Sequence, residues 1–371
     1  METYDVIVIG TGGVGSVAAM HLVGRGVRVL GLDRFPPGHD RGSSHGQTRV
    51  IRLAYFEHPD YVPLLRRAYE LWADLESVSG KKLYYPVGLL QIGPPHGEII
   101  QGVRDSAQQH RLAIENLSPE QVAERFPAFR CAADHEAVFE QNAGYLLVEP
   151  CVVAHATEAI RRGATFRCGE AVQTWRADGN GVHVTTDCET YSADRLVITA
   201  GAWAGNLLAD LKFPLTVLRK PLYWFAPAEN ITHDPRTFPC FLYDLPAGCF
   251  YGFPQLDERG VKVAQHSGGT PVNDPLKVSR DLDPEDLKSV ARFVEGWLPS
   301  VTTQLVDHAT CMYTMSANSR FIVDRHPEHP QVCFAAGLSG HGFKFTTVLG
   351  EILCDLALRG ASRLPIEFLS R

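Results

Sequence analysis

The sequence predicts an α/β protein in two parts: a Rossmann-like domain and a second domain with a large antiparallel sheet. Three observations carry this reading. Strand, glycine-rich turn, helix and second strand follow one another within the first 33 residues. Two later stretches, ADRLVITAGAWAGNLL (193–208) and QVCFAAGL followed by SGHG and FKFTTVLGEILCDLAL (331–358), repeat the order strand, glycine turn, helix. Between them PLYWFAP, GCFYGFP and VKVAQH read as strands broken by Pro and Gly, the pattern of an antiparallel sheet.

Residues 4–9, YDVIVI, form an apolar run of strand length rich in β-branched residues, suited to a parallel strand buried on both faces. GTGGVG follows, with Gly10, Gly12 and Gly15 in the G-x-G-x-x-G spacing, then a helical segment through SVAAMHLVGRG. VRVLGL (27–32) is the second strand and Asp33 stands at its end. The first glycine permits the tight turn, the second lets backbone approach a pyrophosphate, and the third lets helix pack on strand. The helix N-terminus then faces the phosphates and Asp33 accepts from a ribose. A dinucleotide is implied. NAD and FAD are not separated by the motif, whereas Asp33 would repel the 2′-phosphate of NADP.

In the last segment Phe345, Val348, Leu349, Ile352 and Leu353 fall on one helical face. The dinucleotide domain is therefore assembled from separated pieces, about 1–85, 145–215 and 318–371. The intervening 86–144 and 216–317 form the remaining domain.

The chain of 371 residues carries a net charge of −7 with 21% charged residues, which argues against a nucleic-acid partner. No apolar run of about 18 residues is free of charge and glycine, so no membrane span is expected. The start, METYDVIVIG, has no basic region or cleavage site of a signal peptide, and a cytoplasmic protein is expected. Nine cysteines include no C-x-x-C pair, so each reads as a buried thiol and no metal site is implied.

After Asp33, RFPPGHDRGSSHGQTRVIRLAY (34–55) reads as a long polar loop leading to a helix near Tyr61–Leu75. Arg49 and Arg52 are three apart, one face of a helical turn; they suit either an anionic ligand or a solvated surface. Lys262 alternates with Val261 and Val263, so either the lysine or the valines face the site, and His266 shares the lysine's side.

GSSHGQTRVIR resembles the N-terminal signature of the monomeric sarcosine oxidase family of covalent flavoproteins, which includes N-methyltryptophan and pipecolate oxidases. YVPLLRRAYELW, ADRLVITAGAW, YGFP, VKVAQHSGG, CMYT, FIVDRHPEH and GLSGHGFKF continue the likeness in the family's order over essentially the whole chain. The resemblance implies a GR2-type, D-amino-acid-oxidase-like FAD domain, an antiparallel sheet that roofs the flavin and makes 86–144 and 216–317 the substrate domain, and a monomer. It implies that the cysteine of CMYT, Cys311, holds FAD through a thioether. Other cofactor contacts implied are Arg34, Ser43, His45, Thr48, Arg49, Val172, Gly201, Trp203, Met312, Gly337, Gly340, His341, Gly342, Phe343 and Lys344. Arg52 and Lys344 are implied to bind a substrate carboxylate, Lys262 to activate O2, and His266, Tyr251, Tyr313 and Arg49 to complete the catalytic group. The helix expected from His341–Lys344 would aim its positive end at the flavin.

The implied activity is oxidation of a secondary α-amino acid, sarcosine first, with O2 as acceptor and H2O2 as product. N-methyltryptophan and cyclic imino acids such as pipecolate or proline are the alternatives, as is a dehydrogenase passing electrons to a partner protein. Ser44 and Gln265 depart from the sarcosine pattern and leave the substrate side chain open.

Overall fold

The computed structural model describes residues 3–179, 181–228 and 237–370. At its centre the strand Thr3–Ile9 pairs in parallel with Val29–Asp33 on one side and Thr190–Ile198 on the other. Thr165–Cys168 and Val332–Ala336 extend this parallel sheet, and antiparallel strands at 172–178, 181–186 and 322–325 complete eight. The period of two decides the packing. Val6 and Val8 pack with the helices Gly13–Gly24, Tyr61–Ser79, Val148–Arg161 and Thr346–Arg359, whereas Ile7 and Ile9 enter a core with Val182, Val184 and Phe334. Both faces are covered, which is why the run has no polar alternation.

A second sheet of nine strands draws on residues 89–140 and 216–315. Its longest pairing is antiparallel, Thr216–Pro227 against Val301–Met315, with Lys220 opposite Cys311. Alternation again sorts the residues. Tyr223, Phe225, Phe250, Val261 and Val263 lie in the outer core with Phe293 and Val294 of the helix Pro284–Trp297. Leu222, Trp224, Tyr251, Phe253, Ala264 and Cys311 lie on the inner face, toward the dinucleotide half. The valines beside Lys262 thus point away from the inner face.

Two details correct the sequence reading. The loop at 34–55 contains a strand, Thr48–Ile51, paired with Gly144–Leu147 in a small three-stranded sheet. Its β-branched TRVI suits a strand, so Arg49 and Arg52 do not share a helical face. The final helix begins at Thr346 after a 3-10 turn over Phe343–Phe345, later than expected from the SGHG turn. Among the described residues no helix is long and apolar enough to cross a membrane.

Candidate active site

The glycine-rich turn is set by close approach. A Cβ on Gly15 would stand 1.8 Å from the Gly10 carbonyl oxygen, so only glycine lets the helix start this near the strand. Above it runs a cleft of about 520 Å³, the size of a cofactor site. Gly10, Gly12, Asp33, Arg34, Ser43, Arg49, Val172, Gly201, Trp203, Met312, Tyr313, Gly337, Gly340, Gly342 and Phe343 line it. Asp33 is held there by the Thr11 amide (2.7 Å) and the Phe35 amide (3.0 Å), which aim its carboxylate along the cleft. Thr314 Oγ1 and Thr346 Oγ1 are buried beside the cleft without a partner among the described residues, as groups awaiting a ligand are.

A second cavity, of about 50 Å³, adjoins the first. Arg49, Tyr313, Gly340 and Phe343 line both, so they mark the boundary. Arg52, Tyr251, His266, His341 and Lys344 line the second alone. Gly340 has φ +79°, and a Cβ there would strike the Tyr313 ring at 2.4 Å; the turn is pressed against that ring.

The second cavity is rich in cations. Arg52 is buried, and its Nη2 donates to both carboxylate oxygens of Glu57 at 2.6 and 2.7 Å. Arg52 Nε has no partner among the described residues. Lys344 Nζ donates to the His341 carbonyl (2.8 Å) and to Tyr55 Oη (3.4 Å), leaving one N–H for a ligand. Burial, and then Arg52, push the Lys344 ammonium down to about 7. Burial likewise lowers His266 to about 3 and His341 to about 4, so both imidazoles are neutral at physiological pH. Glu57 stays ionised, at about 2, because the Arg52 guanidinium beside it foremost outweighs the burial that would raise it.

Cys311 lines neither cavity. It sits one side chain behind the wall, its Sγ 3.1 Å from Arg49 Nη2 and 3.5 Å from the Ser43 carbonyl oxygen. Burial would raise its pKa, but Arg49, His45 and a backbone hydrogen bond at Met312 bring it down to about 6. The other eight cysteines all titrate above their ordinary value; Cys168 and Cys188 are exposed, so the expectation that every cysteine is a buried thiol fails at these two.

Lys262 also lies outside both cavities. Its Nζ donates to the Gly46 carbonyl, to the Thr48 carbonyl (2.9 Å) and to Thr48 Oγ1 (3.2 Å). His266, though on the same side of the chain, reaches the second cavity and stands 3.4 Å from Tyr313 Oη. Glu57, Tyr55 and Glu149 were missed from the sequence. YFEHPD carries no spacing that marks an acid as the partner of Arg52, and only the fold brings them together.

Residues 5–356 match the family described as FAD dependent oxidoreductase. The chain belongs to that family. The monomeric sarcosine oxidase of Streptomyces avermitilis is 41% identical over 369 residues, covering 98% of this chain and 96% of the relative. The N-methyl-L-tryptophan oxidase of Yersinia pestis is 38% identical over 373 residues, covering 99% and 98%. Among solved structures, NikD, an unusual amino acid oxidase essential for nikkomycin biosynthesis, superimposes with a TM-score of 0.88 at 26% identity, over 100% of this chain and 98% of that one.

This FAD-dependent oxidoreductase has the fold of its family, with a mixed α/β dinucleotide domain and a large second sheet. The residues present fit FAD. The close turn at Gly10–Gly15, the hydrogen-bonded Asp33, the unpartnered threonines and a cleft of about 520 Å³ that runs from the glycine turn to Met312 and Tyr313 among its lining residues are what a flavin dinucleotide needs.

Proposed function

We propose that the enzyme is an oxidase of a secondary, N-methylated α-amino acid, with sarcosine as substrate. The observation that carries this reading is the pair of buried cations, Arg52 and Lys344, in a small cavity that shares Arg49, Tyr313, Gly340 and Phe343 with the cofactor cleft. The names of the relatives point the same way. The reaction is sarcosine + O2 + H2O giving glycine, formaldehyde and H2O2. Bound FAD supplies the two-electron acceptor for the amine and the donor for O2.

The side chains do the rest. Arg52 Nε and the free Lys344 N–H bind the substrate carboxylate, a charge-assisted pairing that fixes the amino acid's orientation. Neutral His266 and Tyr313 face the same space and offer contacts that do not demand a charged amine. A dry, cation-lined site favours the substrate as a neutral amine, the form that can be oxidised. Cys311, held as thiolate by Arg49 and His45 in the flavin-free protein, would hold FAD through a thioether. The C–S bond would replace a C–H bond of a flavin methyl group, the proton leaving and the two electrons passing to the flavin and on to O2. Lys262 supplies positive charge for the reaction with O2. The protein acts as a monomer.

The second cavity is far smaller than the cofactor cleft, about 50 against 520 Å³, which favours a small substrate such as sarcosine over one that carries an indole. Anaerobic bleaching of the flavin by sarcosine, N-methyltryptophan, pipecolate and proline tests the choice. Sarcosine should bleach fastest. Faster bleaching by N-methyltryptophan would overturn the substrate, and no bleaching by any amine would overturn the activity.

A further inference from the structure

The first turn of the helix Val148–Arg161 places Glu149 against the chain at Gly46 and Gln47. Its carboxylate accepts from the Gly46 amide at 2.6 Å and from the Gln47 amide at 3.1 and 3.2 Å. The Gln47 N–H and the Gly46 C=O belong to one peptide unit, and that carbonyl accepts from Lys262 Nζ. A carboxylate and an ammonium therefore grip opposite ends of a single peptide group. Hydrogen bonds in such a chain polarise one another, so each ion strengthens the other's bond.

We propose that Glu149 is a positioning residue for Lys262, its counter-ion acting through the Gly46–Gln47 peptide, which keeps the ammonium charged and aimed at this turn.

The turn is built to hold that peptide in one orientation. Gln47 has φ +74°, a conformation non-glycine residues seldom adopt, and its side chain is fixed at both ends. Nε2 donates to Asp257 at 2.8 Å and Oε1 accepts from Trp224 Nε1 at 2.8 Å. A flip of the peptide would break the bonds to both Glu149 and Lys262.

The charges around Lys262 show why a counter-ion is needed. Burial, and then Arg49 and Arg259, hold the Lys262 ammonium well below the ordinary lysine range, while Glu149 and Cys311 act in its favour. The Trp224 and Phe253 rings lie 5.6 and 4.8 Å from Nζ, and the Cys240 thiol, raised by burial to well above its ordinary value, is neutral. Once the Cys311 sulfur is alkylated, a step that rests on the proposed function, it carries no charge. Glu149 is then the remaining anion of that set.

The test uses the flavin-loaded full chain labelled with 15N-lysine, the Lys262 signal being assigned by its absence in Lys262→Met. From ordinary hydrogen-bond and peptide dimensions the two charges stand about 7 Å apart. Removing the negative one in Glu149→Gln should lower the pH at which Lys262 loses its proton by about one to two units. The sign follows because loss of an anion disfavours the charged amine. At a pH between the wild-type and Glu149→Gln midpoints, reoxidation of the reduced enzyme by air should slow about tenfold and recover as the pH falls, while anaerobic reduction by substrate stays within about twofold. Glu149→Asp, which keeps the charge, should titrate close to the wild type.

An unchanged Lys262 titration in Glu149→Gln would overturn the proposal. So would a Glu149→Asp variant that behaves like Glu149→Gln, or a slowing that is the same at every pH. Normal reoxidation in Lys262→Met, with the titration shift intact, would instead remove the oxygen role of Lys262 and leave the counter-ion standing.

Discussion

Replacing Arg49 by methionine removes the cation that touches Cys311 and keeps a side chain of similar length. Arg49 Nη2 stands 3.1 Å from Sγ, and its other hydrogen bonds, to the Ser43 and Thr48 carbonyls, fix the guanidinium there. At that separation and an effective dielectric near 20 the attraction is about 5 kcal/mol, or roughly four pKa units. His45 and the hydrogen bond at Met312 still support the thiolate, so the expected rise is smaller, about two to three units from the present value of about 6. At pH 7 the thiolate fraction then falls from about nine-tenths to between about one-tenth and one-hundredth. The assay is the far-ultraviolet thiolate absorbance of flavin-free protein against pH, with Cys311→Ser as the blank. It is selective because the other eight thiols all lie above their ordinary value and the blank subtracts them. Covalent capture of added FAD, scored by flavin that stays with acid-precipitated protein, should slow by one to two orders of magnitude at pH 7 and recover at alkaline pH. A midpoint still near 6 in Arg49→Met would refute the assignment of the thiolate to Arg49. Wild-type flavin that washes free of precipitated protein would refute the use made of Cys311.

Lys262→Met should leave anaerobic reduction by sarcosine nearly intact and slow reoxidation by air about a hundredfold, the equivalent of roughly 3 kcal/mol, with an artificial acceptor rescuing turnover. Slow reduction with normal reoxidation would place the lysine on the amine instead. Arg52→Ala should raise the KM for sarcosine by one to two orders of magnitude, and sarcosine amide should be a poor substrate of the wild type; equal turnover of amide and acid would remove Arg52 and Lys344 from carboxylate binding. Lys344 is charged below about 7 and neutral above it. Binding of an amine-free carboxylate such as propionate, followed by flavin absorbance, should therefore weaken as pH rises through about 7, and Lys344→Met should bind weakly with no such limb.

Much of this protein is legible in its residues because the signals are local. Gly10, Gly12, Gly15 and Asp33 mark the dinucleotide turn through spacing alone, since each serves a backbone that is continuous in sequence. The strand at 4–9 and the helix that follows are recognised from composition and length for the same reason. Where the reading failed, local preference was weak. The polar segment at 34–55 hides the four-residue strand Thr48–Ile51, whose pairing with Gly144–Leu147 is supplied from nearly a hundred residues away.

The sequence by itself determined the fold class and the dinucleotide turn, and its motifs named candidate site residues, of which Arg52, His266 and Lys344 line the second cavity while Cys311 and Lys262 line neither cavity. Only the tertiary structure decided what those side chains face. Lys262 and its valines alternate on any strand, and which side meets the inner face depends on the core that forms under Pro284–Trp297. Arg52 meets Glu57, Arg49 meets Cys311 across 262 residues, and Glu149 meets the peptide that carries Lys262. These are pairings of charge in a buried space. Their strength depends on distance and on the exclusion of water, and neither quantity is written along the chain.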